Sequence, residues 1–94
     1  MLSEPLAPDR ARRLIQKVLQ KGVVGFSGHA LAELANDGLS TADTVNVLRA
    51  GVVERAELER GTWRYRVRTD RIAVVVAFRS ESEMTVVTAW RVKR

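Results

Sequence analysis

Residues 63–91 hold the feature that most restricts what this chain can fold into: three consecutive β-strand patterns separated by two short polar turns. The strands span 63–68, 72–79 and 84–91. The middle one opens Ile-Ala-Val-Val-Val-Ala-Phe, apolar at every position, which predicts a strand covered on both faces. The first alternates, with Trp63, Tyr65 and Val67 pointing one way and Arg64, Arg66 and Arg68 the other. Successive arginines on that face lie roughly 7 Å apart and form a line of positive charge. The apolar face needs a cover, and the upstream segments are built to supply it.

Residues 1–7 read as a flexible arm. A helix is expected over 8–22, an addition ahead of the rest of the domain. Pro8 suits its first turn and Asp9 its dipole, and Ala11, Leu14, Ile15, Val18 and Leu19 fall on one stripe. Arg13, Lys17 and Lys21 follow at i+4 on another face, and Gly22 stops the helix. Residues 23–26 are β-like, an edge strand or an extended link. Ser27 is placed to cap a second helix over 28–37 with Leu31, Leu34 and Ala35 on its apolar stripe, and Gly38 ends it. Ser40 and Asp43 have capping-box spacing and open a third helix running to about residue 50. These two helices do not make a DNA-reading pair, because the second offers mainly Thr41, Asp43, Thr44 and Asn46 to a groove.

A further strand is expected over 52–60, with Arg60-Gly61-Thr62 turning into Trp63. Across that hairpin Glu57 or Glu59 can pair with Arg64 or Arg66. Neutralised in this way, the arginines would be cross-strand support rather than a binding surface. The parity of the 80–83 loop decides whether Arg91 or the Thr88 and Trp90 set shares the arginine face, and spacing leaves both open. The fold expected is α+β: one domain over 1–94, with N-terminal helices packed on a mainly antiparallel sheet of about four strands.

Charge narrows the function classes. The net charge is +5, but residues 33–59 carry two basic and six acidic side chains whereas residues 60–94 carry nine and three. A basic sheet suits a polyanion, with nucleic acid the commonest. There are no cysteines and one histidine, so neither a metal site nor a cofactor is expected. No apolar run approaches the roughly 20 residues of a membrane span, and the N-terminus lacks the build of a signal peptide. The cytoplasm is the default location.

His29 would sit at the second position of its helix, where the dipole favours a neutral ring. A neutral imidazole can take the proton of a ribose 2′-hydroxyl, the first step of metal-free RNA cleavage. Arg64, Arg66, Arg79 and Arg91 are the candidates to stabilise the developing phosphorane charge, and Tyr65 or an arginine to protonate the leaving oxygen. Arg64, Arg66, Arg68, Arg71 and Lys93 are the candidates to grip the RNA backbone.

His29-Ala30, the Gly38-Leu39-Ser40 cap, Asp43-x-x-x-Val47-Leu48-x-x-Gly51 and the closing Val87-Thr88-Ala89-Trp90 together resemble small RelE-like domains, a group similar to the BrnT and MqsR toxins of bacterial toxin–antitoxin pairs. The resemblance covers about residues 24–91. It implies an α+β fold, metal-independent cleavage of mRNA, free or on the ribosome, and neutralisation by a cognate acidic antitoxin. The chain departs from the pattern at Glu33 and Asp37, where related sequences commonly carry basic residues. The alternative reading is therefore a non-catalytic RNA-binding or protein-interaction module on the same scaffold. Self-association is a further expectation, since the acidic middle of one copy complements the basic sheet of another.

Overall fold

The computed structural model describes residues 2–93. In order, the elements are α1 (Pro8–Lys21), β1 (Val23–Phe26), α2 (Gly28–Asn36), α3 (Thr41–Ala50), β2 (Val52–Val53), β3 (Glu57–Glu59), β4 (Thr62–Arg68), β5 (Ile72–Ser80) and β6 (Glu83–Arg91). The class is α+β, but the sheet has six strands rather than about four. Its order is β1-β6-β5-β4-β2, with β3 also paired to β4. Pairing is antiparallel except for β1, which runs parallel to β6 with Val24 opposite Met84. The short apolar segment between two helices is thus an edge strand.

Ile15, Val18, Val47 and Leu48 from α1 and α3 join Tyr65, Val67, Val74, Val76, Met84, Val86 and Ala89 in one buried cluster. β5 is covered on both faces over residues 73–78, as its unbroken apolar run predicts. On the opposite face Ala73 and Ala77 are buried while Val75 is half-buried. Cover there comes from the sheet's own side chains: Arg64 and Arg66 line a cleft with Val75, their stems lying over apolar surface.

Local signals explain the joints. Ser27 Oγ accepts from the Ala30 N–H at 3.0 Å and donates to the Val87 carbonyl at 2.9 Å, so the cap of α2 also anchors it to β6. Ser40 and Asp43 form the expected capping box, and the Ser40 N–H bond is the main reason Asp43 titrates below the ordinary carboxylate range. The last carbonyls of α3 are satisfied from α1: Arg12 donates to Gly51 O and Gln16 to Arg49 O, each at 2.9 Å. The β3–β4 turn has positive φ at Arg60 (51°) and Gly61 (78°), the geometry of a tight hairpin.

The arm is not loose. Leu6 is buried, and its N–H donates to the Tyr65 hydroxyl at 2.9 Å. That hydroxyl in turn donates to Glu4 Oε2 at 2.9 Å. A buried phenol needs polar partners, and these residues provide them. Among the described residues no helix is long and apolar enough to cross a membrane.

Candidate functional site

The arginine ladder forms as its alternation predicts, and it is neutralised. Arg64 pairs with Glu59 at 3.6 Å, and Arg66 with both Glu54 and Glu57 at 3.7 Å. Arg68 is bonded through Nε to Glu54. A β-bulge makes this possible. Val53 pairs with Val67 and the Glu54 N–H bonds to Arg66 O, yet Glu57 pairs with Arg64. Arg55 and Ala56 therefore both stand against Tyr65, one residue more than an unbroken ladder holds. Strict alternation would put Glu54 and Glu57 on opposite faces. The extra residue resets the parity, so all three glutamates meet the arginines.

Thr88 and Trp90 complete that face, since Val75 pairs with Thr88 and Ala73 with Trp90. The Arg66 guanidinium lies 5.5 Å from the centroid of the Trp90 ring, a cation–π contact. The Nε atoms of Arg64 and Arg66 are buried without a hydrogen-bond partner, although each guanidinium is held by its ion pairs. Between Glu57, Glu59, Arg64, Arg66 and Val75 only a cleft of about 80 Å³ remains.

The other sequence candidates do not converge on the ladder. His29 is exposed near the start of α2, its side chain making no hydrogen bond or ion pair to a described residue. The packing of α2 is chiefly on β6, and β4 lies two strand spacings, roughly 10 Å, from β6. Arg79 is exposed and donates to Thr85 Oγ1 at 3.2 Å. Arg91 lies opposite Ile72, off the ladder face. Its N–H bonds to Asp37 Oδ2 at 2.9 Å and its Nε to Asp37 O at 2.8 Å, where a cation suits the end of α2. Arg71 and Lys93 are exposed at one end of the sheet, where Val92 N–H bonds to Arg71 O. Tyr65 is fully buried on the helix face, and burial pushes its hydroxyl up from 10.0 to about 12. A leaving oxygen cannot reach it.

Two features outside this constellation are better disposed for binding. Arg10, Arg13, Lys17 and Lys21 are exposed on α1 with no acidic partner among the described residues. At roughly 100° per residue they fall within an arc of about 80°, and at 1.5 Å rise they extend over about 16 Å. Spacing alone revealed three of these four cations. Where the arm meets the bulge, a groove of about 430 Å³ is lined by Pro5, Leu6, Ala7, Pro8, Arg55, Ala56 and Trp63. Sequence reasoning missed it because its walls come from segments joined only by the fold. Trp63 at the head of an alternating strand was the one available signal.

Among the described residues, fold and surface together define an α+β protein with three helices on a mixed sheet, whose β4 arginines are paired with glutamates. Residues 26–91 match the family described as Domain of unknown function (DUF4258), and the chain belongs to that family. No curated protein and no solved structure matches it. The matched span begins at the end of β1, so α1 lies outside it.

Proposed function

We propose that this chain is a non-catalytic RNA-binding module of the cytoplasm, contacting phosphates with the outer face of α1. The carrying observation is the row of Arg10, Arg13, Lys17 and Lys21, exposed and without acidic partners among the described residues. Three further observations speak against cleavage. His29 stands apart from the ladder, Tyr65 is sealed under the arm, and Arg64, Arg66 and Arg68 are engaged by glutamates. General base, acid and stabilising cations need to meet around one phosphate, within hydrogen-bond reach of its oxygens.

Binding of single-stranded RNA in EDTA, measured across a salt series, tests the reading. Four phosphate contacts give a slope of log K against log salt of about −3, with the RNA recovered intact. A flat salt dependence would overturn the proposal. Cleavage that disappears in His29→Ala would replace it with the endoribonuclease reading.

A further inference from the structure

We infer that the groove beside Trp63 seats one unpaired base of a single-stranded RNA, stacked on the indole, with a flanking phosphate on Arg55. The inference rests on the RNA-binding reading and adds the class of RNA. Pro5, Leu6, Ala7 and Pro8 from the arm and the start of α1, Arg55 and Ala56 from the bulge, and Trp63 from β4 line the groove. The volume of about 430 Å³ falls within the range of small-molecule sites and has room for a nucleobase. No acidic side chain lines it, in contrast to the cleft at the ladder, which Glu57 and Glu59 line. Trp63 is half-buried and packed against the core, so its ring is held in place before a ligand arrives. The bulge leaves Arg55 exposed at the rim with no ion pair to a described residue.

Charge selects this occupant over an apolar peptide. Pro8 lines the groove and also begins α1, and Arg10, the first cation of the ridge, follows two residues later. Phosphates following Arg10, Arg13, Lys17 and Lys21 thus lead toward Trp63 and Arg55. A duplex keeps its bases stacked and paired and offers no free ring face there, whereas a single strand does. Apart from Arg55 and the single indole N–H of Trp63, the lining side chains among the described residues carry no hydrogen-bonding group for a base edge, so base identity is read weakly.

The test uses the full chain carrying Trp90→Phe, which leaves Trp63 as the single indole. Trp90 lies under Arg66 on the ladder face, outside the proposed site. The probes are an oligouridine of about twelve nucleotides, an abasic ribose-phosphate strand of equal length and an RNA duplex, a length chosen to suit single-strand site sizes. Oligouridine should quench Trp63 fluorescence and bind about 10-fold more tightly than either other probe. Trp63→Tyr should keep affinity within about 3-fold and Trp63→Leu should lose about 10-fold, while Arg55→Gln, an exposed change, should lose about 3-fold. Equal binding of the abasic strand without quenching would overturn the base site and leave binding at α1 standing. Failure of every probe to bind would overturn the RNA reading and this inference with it. Quenching by a capped Leu-Pro-Leu peptide, with none by oligouridine, would assign the groove to a peptide and overturn the inference.

Discussion

The sheet and the first helix each carry a regular row of cations, and the two rows have opposite fates. On β4, Arg64, Arg66 and Arg68 meet Glu59, Glu57 and Glu54 from the edge strands. On α1, Arg10, Arg13, Lys17 and Lys21 form no ion pair among the described residues. Regular spacing makes a row of charge, but the neighbouring element decides whether the row is available. The ladder acts as cross-strand support, each exposed pair contributing a few tenths of a kcal/mol up to about 1. The helix row keeps its field.

The comparison is broken most severely if α1 is not part of the core. Ile15, fully buried, is expected to cost about 3 kcal/mol when changed to Ala, read by urea denaturation. An unchanged midpoint would mean that α1 is not docked. Next in size is Arg13→Glu with Lys17→Glu, which should weaken RNA binding about 30-fold and halve the salt slope to about −1.4. Arg66→Gln, by contrast, should change affinity by less than about 2-fold, since Arg66 is already paired.

Removing the neutralising acids converts one region into the other. With Glu54, Glu57 and Glu59 all changed to Gln, RNA affinity at low salt should rise about 10-fold and the slope should steepen toward about −5. An unchanged slope would show that the ladder face does not meet RNA even when its charge is released.

The smaller of the two stability effects is at Tyr65, on the far side of the same strand. Tyr65→Phe should destabilise by about 1 kcal/mol, because it strands the Leu6 N–H. Its pH signature has a definite sign. The folded-state pKa is raised from 10.0 to about 12, so the contribution of Tyr65 is present below pH 10 and is lost as pH rises through about 12. Denaturation at several alkaline pH values should show that part of the decline missing from the Phe variant.

Much of the architecture was legible because it rests on short-range rules. The Ser27 cap, the Ser40–Asp43 box, the glycine stops, the helix stripes and the alternation of β4 each depend on residues within a turn or two. The arm was not legible as structure, since Leu6 and Glu4 are ordered by Tyr65 from across the chain. The candidate constellation was legible as residue types and not as a place. Arg91 went to the end of α2, Tyr65 to the core, and His29 stayed apart.

By itself the sequence determined the class of fold, the apolar core face and the existence of two cationic rows, because periodicity assigns each side chain to a face of its own element. Only the tertiary structure decided which row is free. That choice turns on a single inserted residue at Arg55-Ala56, which shifts the edge strand's parity and aligns Glu54 with Glu57 and Glu59. A strand's own alternation carries no information about its partner's register. Electrostatics at these distances depends on that register, so charge pairing is settled only when the strands meet.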